Sequence, residues 1–267
     1  MAQQIQQYDN ISSVYDKLIP EPDGLFDFYT SFAKEGVSIL DIGCGSGRLA
    51  FQLAQNGAIV HAIDISAGMI ETAKKKLAQC DRKSSERVHF EVADIKDFHC
   101  VSRFDYVFMS GGVFEYLLTP KDQAEALQKI KQLLKPEGRF IFDIISPPQV
   151  CAYDKRQKDF GNTAHPPKDH QYIKSQNIFR IDHYKQIVST RCLFEIHQHD
   201  KVTEKYEFQF LTRYTLPTEM FYLLKSRGFA VLGFYGDYNK EPFKRGSEFM
   251  IYVTKLSSSK ENGNALK

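Results

Sequence analysis

Three glycines at alternate positions follow a short apolar run early in the chain. The run, Val37 to Ile42, is typical of a buried parallel strand, and the glycines are Gly43, Gly45 and Gly47. Leu49 to Ala54 then reads as the start of an amphipathic helix. Glycine lacks a Cβ and permits positive φ, and a helix start presents free N–H groups and the positive end of its dipole. The pattern therefore predicts a turn whose backbone contacts a ligand.

The spacing of these glycines distinguishes between possible ligands. A dinucleotide fingerprint, G-x-G-x-x-G, has its third glycine one position later. This chain instead has G-x-G-x-G, preceded by Asp41. A second predicted strand, Ala58 to Ile63, ends at Asp64, whose carboxylate can accept hydrogen bonds from both hydroxyls of a ribose. A nicotinamide or flavin site, and a tight turn without a ligand, stay open as alternatives.

The segment Leu40–Gly47, taken with Asp64, resembles the class I S-adenosylmethionine-dependent methyltransferases. In that family the glycine turn lies under the methionine part of the cofactor, and the acid that ends the second strand holds the ribose. The resemblance implies a Tyr-Asp-containing lid, with Tyr15 as the first and Tyr8 as the second candidate contact. The cofactor contacts that it implies are Tyr15, Asp41, Gly43, Cys44, Gly45, Gly47, Asp64, Ile65, Met69, Ala93, Asp94, Ile95, Ser110 and Gly111. Met69 has the alternative of being a core residue only, and Asp94 that of capping its own loop.

The segment that follows the fourth predicted strand, Phe104 to Met109, is expected to face the methyl acceptor. Ligands of an open parallel sheet bind at the carboxyl ends of strands, beside the change in strand order. The candidate catalytic residues there are Ser110, Glu115 and Tyr116. Glu115 has an equal alternative, as an acid that suits the dipole at a helix start. Further candidates for acceptor contact are Tyr15, His183, Arg213 and Asp237.

The chain alternates predicted strands and helices up to about residue 149, and again from residue 217. The resemblance implies an α/β fold, with a Rossmann-like, mostly parallel seven-stranded sheet in the order 3-2-1-4-5-7-6 and strand 7 antiparallel. Between the two parts, three stretches rich in β-branched and aromatic residues predict an antiparallel β-sheet inserted after strand 5. They are Tyr172–Ile181, Gln186–His199 and Lys201–Tyr214. This insertion resembles the small-molecule N-methyltransferases that act on amino sugars or glycine, where the added sheet roofs the acceptor site or forms a dimer contact.

We therefore expect a lid at 1–35, a methyltransferase core at 36–149 and 217–256, the insertion at 150–216 and a disordered tail at 257–267. The Ser146–Gln149 segment contains a Pro-Pro pair, as do the exocyclic-amine methyltransferases of nucleic acids. Theirs follows strand 4 and continues with an aromatic residue, so we interpret the pair here as a rigid turn. His197 and His199 fall on one face of a strand. Without a third ligand they are interpreted as solvent-facing histidines, and no metal is expected.

Composition restricts the class of protein. The chain has 267 residues, of which 42% are hydrophobic, and this suits one α/β domain with an insertion. Its 35 basic and 33 acidic residues leave a net charge of +2, which does not favour nucleic acid as a partner. The five scattered cysteines form no C-x-x-C pair, the N-terminus has no signal-peptide pattern, and no apolar run approaches the roughly 18 residues of a membrane span. A cytoplasmic protein that does not bind membranes is the expectation.

The expected function is transfer of a methyl group from S-adenosylmethionine, by in-line displacement, to a small polar metabolite that carries an amine. The protein would act as a monomer or homodimer. A dedicated base is needed only when the acceptor arrives protonated or is a weak nucleophile, so no His/Asp signature has to mark the catalytic residue. The alternative is a protein with this fold that binds the cofactor without catalysis.

Overall fold

The computed structural model describes residues 2–147, 171–199 and 201–257 of the chain. Within these residues there are two sheets, one of seven strands and one of three, and helices flank the larger sheet. None of the described helices is both long enough and apolar enough to cross a membrane.

Seven strands form the central sheet. They are β1 (Ser38–Ile42), β2 (Ile59–Asp64), β3 (Val88–Val92), β4 (Phe104–Met109), β5 (Leu134–Ile145), β9 (Phe229–Tyr235) and β10 (Phe249–Leu256). Their order is β3-β2-β1-β4-β5-β10-β9, and only the pairings that involve β10 are antiparallel. This confirms the predicted topology. The carboxyl ends of β2, β1 and β4 therefore lie side by side, and the turns that follow them share one edge of the sheet.

Helices lie against both faces of the central sheet. The helices of the described residues are α1 (Ala2–Ile11), α2 (Tyr15–Leu18), α3 (Leu25–Thr30), α4 (Arg48–Gln55), α5 (Ala67–Leu77), α6 (Arg82–Ser85), α7 (Pro120–Leu133) and α8 (Pro217–Ser226). One hydrophobic cluster packs side chains of α7 and α8 against the sheet. The other packs side chains of α3, α4 and α5 against its opposite face. In each of these five helices the apolar side faces the sheet.

The inserted sheet packs against the N-terminal helices. Its strands are β6 (Gln171–Asp182), β7 (Ile187–Gln198) and β8 (Lys201–Arg213), joined in antiparallel order. Ile11 and Leu18 share a buried cluster with Phe194, Ile196 and Phe208 of this sheet. Burial of such side chains stabilises the contact by roughly 1.5–3 kcal/mol for each fully buried side chain. Two segments far apart in sequence are therefore held together over the carboxyl edge of β1 and β4.

Some predicted details differ in the structure. His197 is buried and stacks on Tyr172 at 4.6 Å between ring centroids, so its interpretation as solvent-facing was wrong. The second half of the Pro-Pro turn, the polar stretch before β6 and nearly all of the predicted tail lie outside the described residues.

Candidate active site

Two glycines of the turn after β1 have different surroundings: Gly43 lies close to another segment of the protein, and Gly45 lies beside open space. Gly43 has φ +72°, and a Cβ added there would lie 2.5 Å from Cγ1 of Val113. Gly45 has φ +55°, yet an added Cβ would meet no atom within 4 Å. Left-handed backbone favours glycine at both positions. Gly43 therefore lets the turn pack against the segment after β4, and Gly45 leaves its backbone facing an open cavity.

Asp64, at the end of β2, holds the glycine turn from the side. One carboxylate oxygen accepts from the N–H of Gly45 at 2.8 Å, and the other accepts from the N–H of Ser66 at 2.8 Å. Burial raises the pKa of this carboxyl, and the N–H groups of Ser66 and Gly45 oppose the rise. Ser66 also caps α5 by accepting from the N–H of Met69 at 3.1 Å. The carboxylate thus lies beside the turn at the mouth of the sheet.

Asp41 is a buried carboxyl without a hydrogen-bond donor. Its side chain is 1% exposed, and among the described residues no donor reaches either oxygen. Burial, followed by the charges of Asp64 and Glu21, raises its pKa to about 7. A buried polar group without a partner is costly, so a position of this kind indicates a ligand that supplies the missing donor. The ammonium group of S-adenosylmethionine fits that requirement.

Arg48 is the centre of a cluster of charged side chains at the cavity. Its guanidinium pairs with Glu21 at 2.5 Å, donates to the carbonyl of Ile19 at 2.7 Å and lies 5.3 Å from the ring centroid of Tyr15. Asp16 accepts from Ser46, in the glycine turn, and from Lys76 on α5. The segment around α2 is therefore tied to both the turn and α5.

The loop after β4 is fixed by a carboxylate that the sequence analysis did not single out. Asp143 on β5 accepts from the N–H groups of Gly111 and Gly112 at 3.1 and 3.0 Å, and from the hydroxyl of Tyr29 at 2.5 Å. All its partners are distant in sequence. The one available signal was an acid inside the apolar run Phe140–Ile145, since such a residue is rarely buried unless it is paired. Asp143 therefore sets the position of the backbone that faces the cavity.

Three tyrosines from separate elements meet at the cavity. The hydroxyls of Tyr8, on α1, and Tyr116, after β4, are hydrogen-bonded to each other. The Tyr15 ring lies 6.1 Å from that of Tyr8, and the Tyr116 ring lies 6.0 Å from Phe210 of the inserted sheet. Burial, with the neighbouring phenol Tyr116, keeps the pKa of Tyr8 well above its usual value. Burial and the charge of Glu21 raise the pKa of Tyr15 to about 12, so these phenols are neutral at pH 7.

Most of the predicted site residues line this one cavity. Those that do are Tyr15, Asp41, Gly43, Cys44, Gly45, Asp64, Ile65, Met69, Ala93, Asp94, Ile95, Ser110, Gly111 and Tyr116. Gly47 and Glu115 do not. Gly47 packs under Phe90, because a Cβ there would come within 2.7 Å of that ring. Glu115 is buried beside Gly112, and burial together with the charge of Asp143 raises its pKa well above the usual range.

The three remaining acceptor candidates contact other parts of the protein. Arg213 pairs with Glu219 at 2.9 Å and donates to the carbonyl of Lys185 at 2.7 Å. His183 lies 3.1 Å from the hydroxyl of Tyr214. Asp237 accepts from the N–H groups of its own loop, at Asn239 and Glu241. None of the three lines the cavity.

Sequence reasoning missed several residues that line the cavity. They are Ile5, Glu21, Leu25, Ser46, Arg48, Leu49, Lys96, Met109, Val113, Leu117 and Leu118, besides Ile42. Arg48 follows the glycine motif directly and could have been noticed there. Glu21 and Ile5 reach the cavity only through the fold of the N-terminal segment, so no local pattern marks them.

A family model described as a methyltransferase domain matches residues 33–209. The chain belongs to this methyltransferase family. The match includes the glycine turn, Asp64, the loop after β4 and most of the inserted sheet. The open backbone at Gly45, the carboxylate of Asp64 and the unpartnered carboxyl of Asp41 fit S-adenosylmethionine as a cofactor.

Known proteins resemble the methyltransferase over different lengths. It is 27% identical to the cypemycin N-terminal methyltransferase of a Streptomyces species, covering 93% of this chain and 94% of the relative. A putative methyltransferase of Geobacillus is 30% identical over 52% of this chain. The chain spans only 58% of that relative's length, and 56% of a second one from Bacillus subtilis.

Solved structures share the fold at lower identity. The CcbJ methyltransferase from Streptomyces caelestis aligns with a TM-score of 0.77 at 21% identity, covering 94% of this chain and 98% of that one. The amino pentose methyltransferase CalS10 from Micromonospora echinaspora, solved with S-adenosylmethionine bound, aligns with a TM-score of 0.61 at 13% identity, covering 94% and 91%. The inserted sheet therefore belongs to an arrangement that recurs in this fold.

Proposed function

We propose that this methyltransferase transfers a methyl group to the nitrogen of a small polar amine. The observation that carries the proposal is the set of polar groups on the cavity wall. No histidine occurs among the described lining residues. Glu21 is paired with Arg48, Asp64 accepts two backbone N–H groups, and Asp94 accepts from the N–H of Lys96 at 2.9 Å. With Asp41 assigned to the ammonium group of the cofactor, neutral phenols and Ser110 are left for the acceptor.

A wall of this kind suits nitrogen better than oxygen. An alcohol is a weak nucleophile and needs a base, whereas an amine in its neutral form attacks without one. The phenols of Tyr8 and Tyr116 can each accept from an amine N–H and so direct its lone pair. The cypemycin relative is named an N-terminal methyltransferase and CalS10 an amino pentose methyltransferase, and both names favour a nitrogen acceptor here.

Different residues of the cavity would contact the cofactor and the acceptor. The bound cofactor supplies an electrophilic methyl group on a sulfonium. Asp64 would hold its ribose, Asp41 its ammonium group, and the Gly43–Gly45 backbone would lie against its methionine part. Ser110, Tyr8 and Tyr116 would orient the acceptor for in-line displacement, and alignment of this kind can lower a barrier by roughly 7–11 kcal/mol.

Residues 1–35 would act as a lid and residues 150–216 as the roof of the acceptor site. Asp9 on α1 accepts from the hydroxyl of Ser66 at 2.5 Å and from the N–H of Gly68 at 2.8 Å. These contacts, together with those of Asp16, tie the N-terminal helices to α5 and to the glycine turn. A closed lid excludes water from the reacting groups. Entry of the cofactor would then require the two aspartates to release their partners.

Paired acceptors test the proposal. The protein is incubated with S-adenosylmethionine and with amino sugars or aminoacyl amides, each beside an analogue in which a hydroxyl replaces the amine. We expect release of S-adenosylhomocysteine, and a gain of one methyl group by mass spectrometry, with amines only. Equal transfer to the hydroxyl analogues would contradict the nitrogen assignment. Cofactor binding without transfer to any acceptor in the panel would instead favour a binding protein.

A further inference from the structure

Two histidines and a glutamate form a group at the edge of the central sheet, apart from the residues that line the cofactor cavity. His61 on β2 stands beside His89 on β3 in the parallel register, and Glu91 follows two residues after His89. Because side chains alternate along a strand, all three lie on the same face. β3 is the outermost strand, so this face opens to solvent on one side.

The three side chains already converge. Nε2 of His61 lies 2.9 Å from Oε2 of Glu91, and the rings of His61 and His89 meet edge to face at 4.8 Å between centroids. One donor atom from each residue lies within 4.8 Å of the others. The His61 ring is held from behind by Phe98, at 5.1 Å between centroids.

We propose that His61, His89 and Glu91 bind a divalent transition-metal ion, Zn²⁺ above all. Two imidazoles and one carboxylate are a donor set that suits Zn²⁺, Ni²⁺ and Cu²⁺, and three protein ligands leave a position for water. Donors around a tetrahedral Zn²⁺ lie roughly 3.3 Å apart, given bonds of about 2.0 Å. The His89 side chain is exposed and can close the remaining distance by a change of rotamer.

An ion here would join the two strands that carry part of the cofactor site. β2 ends at Asp64, and β3 leads into Ala93 and Asp94, all of which line the cavity. An ion that binds the folded chain more tightly than the unfolded one stabilises the fold. We therefore expect Zn²⁺ to raise the unfolding temperature without taking part in methyl transfer.

Calorimetric titration with Zn²⁺ tests the site, using untagged full-length protein freed of metal by a chelator. We expect one ion per chain, and at least tenfold weaker binding in both His89→Ala and Glu91→Gln. His99→Ala is the matched control, since His99 is an exposed histidine outside the group, and it should bind as the wild type does. Titration with S-adenosylhomocysteine establishes that each variant is folded.

Cobalt gives an independent readout, because Co²⁺ held by a tetrahedral nitrogen and oxygen donor set has a visible absorption that His89→Ala should abolish. Failure of the wild type to bind Zn²⁺ at one ion per chain would overturn the proposal. So would equal affinity in wild type, His89→Ala and Glu91→Gln, which would place the ion on other ligands such as the cysteines.

Discussion

The two ends of the cavity are built in different ways. At the cofactor end, the glycine turn and Asp64 follow adjacent strands. The carboxylate of Asp64 accepts hydrogen bonds from the backbone N–H groups of Gly45 and Ser66. At the proposed acceptor end, Tyr8 comes from α1 and Tyr116 from the loop after β4, and Tyr116 packs against Phe210 of the inserted sheet. One end is a local motif, whereas the other exists only when distant segments pack together.

The difference indicates how the protein can keep its cofactor while its acceptor varies. Backbone N–H groups and one carboxylate hold the cofactor end, so few side chains are free to change there. Tyr8 and Tyr116 at the proposed acceptor end come from elements far apart in the chain, and different side chains there would give a different pocket on the same sheet. We therefore expect substitutions at the cofactor end to lower cofactor affinity, and substitutions at the acceptor end to lower turnover.

Filling the open position of the glycine turn should have a large effect on cofactor affinity. Gly45→Ala places a methyl group where no atom lies within 4 Å, and the backbone there has φ +55°. We expect cofactor affinity to fall at least 100-fold, while the free energy of unfolding falls only by about 1 kcal/mol, the usual cost of left-handed backbone for alanine. Calorimetry and thermal unfolding measure the two effects.

Gly246→Ala is the matched control, because Gly246 has φ +92° and equally open surroundings but does not line the cavity. It should show a similar loss of stability with normal cofactor affinity. If both variants bound the cofactor equally well, the turn would not face the ligand.

Substitution of Tyr8 or Tyr116 tests whether the acceptor end affects turnover without affecting cofactor affinity. Tyr116→Phe and Tyr8→Phe each remove one hydroxyl of a shared hydrogen bond. We expect kcat to fall about tenfold or more in each, because the acceptor is aligned less well, with the cofactor Kd unchanged. Since the two hydroxyls act together, the double variant should be little worse than either single one.

Tyr184→Phe controls for the loss of a phenol, because Tyr184 is 96% exposed. Weakened cofactor binding in Tyr116→Phe, with kcat preserved, would assign that residue to the other end of the cavity.

Cofactor affinity should also depend on pH through Asp41. Its pKa of about 7 in the free protein means that the carboxyl is protonated below neutral pH. An ammonium group requires the ionised form, so affinity should fall about tenfold for each pH unit below 7 and level off above it. Asp41→Asn should bind weakly with no such slope, and calorimetry between pH 5.5 and 8.5 would show this. An unchanged slope in Asp41→Asn would assign the titration to another group.

The same carboxyl should affect the stability of the unliganded protein. Its folded pKa lies above the unfolded value, so the folded state holds the proton more tightly. The contribution of Asp41 to the free energy of unfolding therefore declines as pH rises from about 4 to about 7, and it is constant above that. Thermal unfolding of Asp41→Asn should lack this part of the pH dependence.

Sequence patterns located the parts of the site that are formed by residues close together in the chain. The glycine turn and Asp64 follow from local patterns, whereas the strand order follows from the family resemblance, and the structure confirms the strand order. Sequence patterns did not indicate the contacts made by tertiary packing. Asp143 on β5 accepts from Gly111 and Gly112 of the loop after β4 and from Tyr29 on α3, and no spacing in the sequence connects these elements.

Glu115, for which two roles were left open, does not line the cavity. Its position after β4 made it a candidate, but the short 3₁₀ turn Val113–Tyr116 directs Tyr116 to the cavity and Glu115 to the interior. The conformation of this turn decides whether Glu115 or Tyr116 faces the cavity. No local sequence pattern indicated that conformation.

Calorimetric titration of the wild type and Asp64→Ala with S-adenosylhomocysteine tests the central assignment most directly. Asp81→Ala is the control, since Asp81 also accepts a backbone N–H at a helix start but does not line the cavity. We expect one cofactor per chain in the wild type and in Asp81→Ala, and no measurable binding in a folded Asp64→Ala. Unchanged affinity in Asp64→Ala, or no binding by the wild type, would contradict the account.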